Sequence, residues 1–280
     1  MFGKKKKISN PSPDVSKLEK FGFESFGNFT EEDVFIMGYP KSGNTLLQHV
    51  IAHLVYGLRA DIPKSIVNNC VTEYYNNPMY FRYDPRHFFK GHELPNERFK
   101  NVIYIVRDGR AAVRSLYYFR RNLNDQVSLQ TLYENGGECF VGTWNNHVEQ
   151  WTENKYGSNI LMIRYEDLLS RKKEQLERIC EFLSLERTSE ELDQVVEATS
   201  FENMKRMEQG YSWQKAKSFK TWKASGSFVR EGNKDGFKSD ENVDDASLEK
   251  FTSIYHFPMF HFPFEVEKSA LRKLCKMRPL

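Results

Sequence analysis

Apolar runs of strand length alternate with segments of helical length along most of the chain. Buried strands are predicted at Val34–Met37, Val102–Val106 and Ile160–Ile163, with a shorter one at 87–90. The predicted helices are 45–55, 109–121, 140–155, 171–183 and 189–198. Strands that alternate with helices favour a parallel sheet covered on both faces. We therefore predict a three-layer α/β fold with a central, mainly parallel sheet flanked by helices.

Other stretches lack this pattern. Residues 1–30 are polar, so we expect a partly disordered N-terminal segment followed by a single domain over 31–280. Within that segment, Lys4–Lys7 fits a solvated tail better than a membrane contact. Residues 205–245 are rich in Lys, Gly, Ser and Asp, which predicts a long surface loop. The aromatic, proline-broken tail 255–264 is expected to pack on the domain surface or to close a pocket.

Charge and cysteine content exclude several classes of protein. The 280 residues carry 41 basic and 38 acidic side chains, without the basic stripe of a nucleic-acid-binding domain. The four cysteines lack the C-x-x-C spacing of a zinc ribbon or a redox pair. No apolar run reaches the length of a membrane span, and the N-terminus lacks the apolar region of a signal peptide. We expect a cytoplasmic protein with no nucleic-acid partner and no membrane span.

A glycine-containing turn separates the first predicted strand from its helix. In α/β sheets, ligands bind outside the carboxyl ends of the strands, where backbone N–H groups and the helix dipole attract anions. Lys41 adds a full positive charge, and Ser42, Asn44 and Thr45 can donate hydrogen bonds. The turn is therefore predicted to be a phosphate site.

This turn differs from the nucleoside-triphosphate loop. In that motif the lysine follows the second glycine, whereas Lys41 precedes Gly43. Arg107 follows the strand 102–106, where a triphosphatase strand would offer an acidic Mg²⁺ ligand. We therefore expect anion recognition by cations and no metal site. His49 and His53 have the spacing of half a metal site, but no third ligand is evident, and we expect helix-face residues near the pocket.

Five segments between residues 35 and 237 resemble, in order, the motifs of the cytosolic sulfotransferase family. Residues 39–45 (YPKSGNT) resemble the family's 5′-phosphosulfate loop. Residues 107–115 resemble its 3′-phosphate segment, whose Arg and Ser stand eight positions apart, as Arg107 and Ser115 do. Residues 164–167 (RYED) resemble the turn whose tyrosine, here Tyr165, reaches the adenine. The last two, 199–204 (TSFENM) and 228–232 (FVREG), resemble its T-S-F-x-x-M and F-x-R-K-G segments.

The resemblance implies a fold of the P-loop nucleotide-binding type, 3′-phosphoadenosine-5′-phosphosulfate (PAPS) as donor, and adenosine 3′,5′-bisphosphate (PAP) as product. The nucleotide-binding residues that it implies are Lys41, Ser42, Gly43, Asn44, Thr45, Leu46, Arg107, Ser115, Tyr165, Thr199, Phe201, Met204, Phe228, Arg230, Glu231 and Gly232. Leu46 departs from the tryptophan that stacks on adenine in animal members, and Glu231 departs from the family's lysine. The family's dimer motif is not visible after Gly232, which leaves a homodimer open.

Residues 90–92 (KGH) resemble the family's catalytic K-x-H segment. The resemblance implies that His92 is the general base, because an imidazole suits proton abstraction near neutral pH. Lys41 would then stabilise charge on the leaving phosphate, and Lys90 would hold the transferring sulfuryl group. The acceptor would be a small molecule with a hydroxyl or an amine.

Two other functions stay open. A P-loop kinase of a small metabolite would need a Mg²⁺ ligand and the usual lysine position, and neither is seen. A degenerate sulfotransferase-like protein that only binds the bisphosphorylated nucleotide is favoured by Leu46 and Glu231, and disfavoured by the retained His92, Lys41 and Lys90.

Overall fold

The computed structural model describes residues 18–73, 79–82, 84–209, 237–238, 242 and 245–254. The strands in these ranges are β1 (Phe23–Ser25), β2 (Val34–Met37), β3 (Val71–Glu73), β4 (Met79–Phe81), β5 (Phe88–Lys90), β6 (Asn101–Val106) and β7 (Asn159–Arg164). The helices are α1 (Asn44–Tyr56), α2 (Lys64–Cys70), α3 (Gly109–Asn122), α4 (Leu129–Glu134), α5 (Trp144–Glu153), α6 (Tyr165–Ser170), α7 (Lys172–Leu183), α8 (Ser189–Ala198), α9 (Phe201–Gln209) and α10 (Asp245–Ile254).

Five strands form a parallel sheet in the order β3-β5-β2-β6-β7. The central strand β2 is buried along its whole length, as expected for a parallel strand covered on both faces. Successive side chains of a strand point to opposite faces. Val34 and Ile36 accordingly belong to one apolar cluster and Phe35 and Met37 to the other. The predicted three-layer α/β architecture is confirmed.

The two clusters are covered by different helices. On one face, side chains from α1, α7 and α8 pack against the sheet, among them Leu47, Val50 and Ile179. On the other face, α3, α4, α5 and α10 contribute larger side chains, among them Trp144, Trp151 and Phe251. The aromatic-rich composition therefore fills mainly this second layer.

A small antiparallel sheet was missed by the sequence pattern. Strand β1 pairs with β4, and both have only three residues, which is too short for a strand pattern to be recognised. Arg82 ties this sheet to the start of β2, since it forms ion pairs with Glu24 at 2.9 Å and with Asp33 at 2.7 Å. Part of the segment 18–30 is therefore packed on the domain.

Two predicted boundaries are wrong. The predicted helix 140–155 begins only at Trp144, because Cys139 and Gly142 form a tight bridge before it. The predicted loop 205–245 is helical at its start, because α9 continues to Gln209, one turn beyond the buried Met204. Most of the rest of that stretch, the tail 255–264 and Lys4–Lys7 lie outside the described residues. No helix in the described ranges has both the length and the apolar character needed to cross a bilayer.

Candidate functional site

The turn after β2 leads into an open helix N-terminus. Gly43 stands before α1 with a φ of 112°, and no side chain of the described residues caps the helix. The first turn of α1 contains no acidic residue. A Cβ on Gly43 would lie 2.6 Å from Cδ2 of Tyr165, so this position requires glycine. The first N–H groups of a helix lack intrahelical partners, and these are left for an anion.

Polar groups of the turn are buried with their hydrogen-bonding capacity unused. In the described part of the chain, Ser42 Oγ and Asn44 Oδ1 are buried without a hydrogen-bond partner. The Nδ2 atom of Asn44 donates to Gly38 O at 3.3 Å and to Gly91 O at 3.0 Å, which ties the turn to the segment after β5. Lys41 has a φ of 69°, and its Nζ lies 4.6 Å from the centre of the Phe119 ring.

Arg107, directly after β6, joins three of the predicted motifs. Its Nη1 donates to Lys41 O at 3.1 Å, and its guanidinium lies 4.4 Å from the centre of the Tyr165 ring. Its Nε is buried and has no hydrogen-bond partner in the described ranges. The segments that resemble the 5′-phosphosulfate loop, the start of the 3′-phosphate segment and the turn with the adenine tyrosine therefore lie together.

Other predicted nucleotide-binding residues lie on the helices that follow β2 and β6. Thr45 and Leu46 are half-buried in the first turn of α1, and Leu46 packs against the apolar cluster of that helix. Ser115 is half-buried two turns into α3. Phe228, Arg230, Glu231 and Gly232 lie outside the described residues.

The segment that resembles T-S-F-x-x-M forms the junction of α8 and α9. Thr199 and Met204 are buried and Phe201 is half-buried. Lys172 Nζ donates to Thr199 O at 2.6 Å and to Thr199 Oγ1 at 3.3 Å. Burial lowers the pKa of Lys172 to about 8. This lysine was missed by the sequence reasoning, because it belongs to no motif.

His92 follows β5 and is oriented by a backbone carbonyl. Its Nδ1 lies 2.7 Å from Gly38 O, so Nδ1 carries the proton and Nε2 keeps its lone pair. Burial is the main cause that lowers the pKa of His92 to about 4; Lys90 and Lys41 lower it further, while the hydrogen bond to Gly38 and the charge of Glu73 oppose the shift. The imidazole is therefore neutral at pH 7.

His147, which is fully buried, supports the half-buried His92 through the backbone. His147 Nε2 donates to His92 O at 2.8 Å, and its Nδ1 lies 2.9 Å from the hydroxyl of Tyr104, which donates to it. Burial lowers the pKa of His147 to about 3, so this ring is also neutral. This series of hydrogen bonds, from Tyr104 through His147 to the backbone of His92, was not predicted, since its members are far apart in sequence.

Lys90 is buried at the end of β5, with 6 % of its surface exposed. Its Nζ lies 2.8 Å from Glu73 Oε1, 3.3 Å from Gln48 Oε1 and 3.3 Å from Thr45 Oγ1. Lys90 thus contacts the first turn of α1. Glu73 and Gln48 were not among the predicted residues.

Three other side chains near the site differ from expectation or were missed. Phe140 is 70 % exposed, and its ring stands edge-on to that of His92 with centres 6.2 Å apart. His49 and His53, expected on the helix face near the pocket, are both buried with their rings stacked at 6.3 Å. Burial lowers the pKa of His49 to about 3. Both histidines are therefore neutral, packed parts of α1.

Comparison with known proteins identifies the family. The sequence model of the sulfotransferase domain matches residues 31–273. The chain is 26% identical to the 3-alpha-hydroxysteroid sulfotransferase of Cavia porcellus, over 83% of this chain and 85% of that protein. It is 27% identical to the amine sulfotransferase of Oryctolagus cuniculus, over 90% of this chain and 88% of that protein. Its fold is similar to a crystal structure of retinol dehydratase in a complex with retinol and PAP, with a TM-score of 0.68, 17% identity, and coverage of 85% of this chain and 84% of that one. The chain belongs to the sulfotransferase family.

Proposed function

We propose that this chain transfers a sulfuryl group from PAPS to a hydroxyl or an amine of a small acceptor. The observation that carries the proposal is the convergence of Lys41, Lys90, His92 and Arg107 at the carboxyl ends of β2, β5 and β6. Relatives named as hydroxysteroid and amine sulfotransferases support both acceptor classes. A structural neighbour that holds PAP supports the donor.

The groups at the turn suit an anion. Negative charge is favoured here by the side chains of Lys41 and Arg107, by the uncapped N-terminus of α1 and by the hydroxyl of Ser42, which has no partner among the described residues. When bound, PAPS supplies the activated sulfuryl group. In this proposal its 5′ end lies at the N-terminus of α1 and would be held by Lys41, Ser42, Gly43, Asn44 and Thr45.

The 3′-phosphate and the adenine of the nucleotide would be bound by residues after β6 and β7 and at the junction of α8 and α9. Arg107 and Ser115 would contact the 3′-phosphate, and Tyr165, Thr199 and Phe201 would surround the adenine. The Arg107 guanidinium stacks on the Tyr165 ring, and this contact supports the assignment. It places a cation for the 3′-phosphate beside an aromatic ring on which the adenine can stack.

His92 would accept the proton of the acceptor. The hydrogen bond from Nδ1 to Gly38 O leaves Nε2 as the atom that takes it, and the ring is neutral at pH 7. A base with a pKa of about 4 is weak, since general bases work best near the ambient pH. Lys90 and Lys41 contribute to this low pKa, and a bound anion would offset their charge. Binding of the donor is therefore expected to strengthen the base.

Lys41 and Lys90 would act on the charge of the reacting groups. Fixed cations aimed at developing negative charge stabilise a transition state more than a ground state. In this proposal Lys41 faces the leaving phosphate and Lys90 faces the sulfuryl group. The contact of Lys90 with Thr45 supports its place next to the 5′ end of the nucleotide.

Calorimetry with PAP and with ADP tests the nucleotide. Arg107 and Ser115 predict that PAP binds far better, and equal affinities would favour the kinase alternative. Turnover that survives EDTA is expected for a cation-based anion site, while loss of activity that Mg²⁺ restores would contradict it.

Comparison of His92→Ala with Lys41→Ala tests the catalytic assignment. His92→Ala should slow single turnover by roughly 10²–10⁴-fold and spare PAP affinity. Lys41→Ala should lower both the single-turnover rate and the PAP affinity, because this residue would contact the donor in the ground state and in the transition state. Full activity of His92→Ala would refute the base. Tight PAP binding with no acceptor turned over would favour the degenerate binding protein.

We further propose that the protein acts in the cytoplasm as one domain over 31–280. The resemblance to cytosolic members and the family match over 31–273 support this proposal. Fractionation of cells that express the full chain tests the compartment, and limited proteolysis tests the single domain.

A further inference from the structure

One carboxylate stands among the cations of the candidate site. Glu73 is the last residue of β3, and the strand register pairs it with Lys90, the last residue of β5. Residues in register on parallel strands point to the same face of a sheet. Glu73 Oε1 lies 2.8 Å from Lys90 Nζ, and the two side chains are 29% and 7% exposed.

The Nζ of Lys90 lies 2.8 Å from one acceptor and 3.3 Å from two others, and a bound sulfuryl oxygen would replace one of the two longer hydrogen bonds. Glu73 is the charged acceptor, and Gln48 and Thr45 are neutral ones. Gln48 is itself fixed, because its Nε2 donates to Val71 O at 2.8 Å. Lys90 is therefore held at one place, beside the first turn of α1.

The charges around this place make the carboxylate necessary. An ammonium buried without a partner is strongly unfavourable. Lys64 is a second cation nearby, with its pKa lowered to about 7 by burial and by Lys90, while Glu73 and Glu208 oppose that shift. Without Glu73, Lys90 would lose the carboxylate that it contacts, and the repulsion between Lys64 and Lys90 would be less compensated.

We propose that Glu73 is a positioning residue that acts through Lys90, because its carboxylate holds the ammonium beside Thr45, where the sulfuryl group is to be bound. The inference rests on the proposed function, since it requires Lys90 to contact the transferring group. Glu73 itself touches neither the donor nor the acceptor in this arrangement.

A double-mutant cycle of Glu73→Gln and Lys90→Met tests the proposal. Glu73→Gln should slow single turnover by about 10–100-fold, because small displacements of a catalytic group cost up to about 10² in rate. The same change in the Lys90→Met enzyme should have no further effect, since residues that act through one group are not additive. PAP affinity should be unchanged or higher in Glu73→Gln, because a negative charge near an anion site is removed. Glu73→Asp should restore part of the rate.

Glu24→Gln is a matched control. Glu24 lies in β1, is 32% exposed and forms an ion pair of 2.9 Å with Arg82, which also pairs with Asp33 just before β2. Its loss should lower stability and leave the single-turnover rate unchanged.

Three results would overturn the inference. The first is a Glu73→Gln rate within twofold of wild type, and the second is an equal slowing in the Lys90→Met background. The third is weaker PAP binding in Glu73→Gln and Glu24→Gln alike, which indicates structural damage. A wild-type chain that binds PAP but turns over no acceptor would reject the proposed function, and this inference with it. If the wild-type enzyme is active and the effects of Glu73→Gln and Lys90→Met on the rate are additive, only the positioning role of Glu73 is rejected.

Discussion

The protonation of His92 gives the most direct test of the site. An ordinary histidine with a pKa of 6.5 would be only about 9 % neutral at pH 5.5. With a pKa of about 4, His92 should be about 97 % neutral at that pH. The difference is tenfold in the fraction able to accept a proton. Burial is the main cause, and the hydrogen bond to Gly38 O determines which nitrogen carries the proton.

The assay is a titration of the ring by ¹⁵N NMR on histidine-labelled protein without nucleotide. His92→Gln assigns the signal. We expect a neutral ring with the proton on Nδ1 down to about pH 5, and protonation only near pH 4. The rate profile is a weaker assay, because a phosphate monoester such as the donor's 3′-phosphate titrates near pH 6.

Two results would refute this reasoning. Protonation of His92 near pH 6.5 would mean that the ring is solvated, and the burial argument would be wrong. A proton on Nε2 at pH 7 would contradict the assignment of Nε2 as the proton acceptor, whatever the pKa. Addition of PAP supplies a further check, because its negative charge should raise the pKa of His92 by offsetting Lys41 and Lys90.

Three other predictions concern buried groups of the fold and residues that support the site. Buried His87 and His147 have pKa values lowered to about 4 and about 3, so the unfolded chain binds more protons below pH 6.5. Each should therefore remove about 1.4 kcal/mol of stability per pH unit as the pH falls from 6.5 towards these values, measured by urea unfolding, and a flat profile would contradict this. Gly43→Ala should weaken PAP binding and lower the melting temperature, because of its positive φ and the closeness of Tyr165; wild-type affinity in calorimetry would refute it. Lys172→Met should weaken PAP binding by loosening the segment before α9, whereas Lys172→Arg should keep it; equal affinities would refute this role.

The strands and the loop could be predicted because their signals are local. Four predicted strands correspond to β2, β5, β6 and β7, since buried parallel strands are continuous apolar runs. The turn at Gly43 combines a strand end, a glycine, a lysine and a helix within a dozen residues. Strands β1, β3 and β4 have three residues each and no such signal, so they emerge only from tertiary pairing.

The residues that hold the motif side chains in place could not be predicted, because each meets its partner through tertiary packing: Glu73 through the order of the strands, and His147 and Lys172 through the packing of helices. The order β3-β5-β2-β6-β7 puts residue 73 next to residue 90. The same order brings the segments after β2 and β5 together, so that Gly38 O can accept the proton of His92 Nδ1. A motif search finds the side chains that would touch the nucleotide, since their spacing is fixed by the ligand. A support such as Glu73 need only lie at the carboxyl end of a neighbouring strand, and that position becomes visible once the sheet order is known.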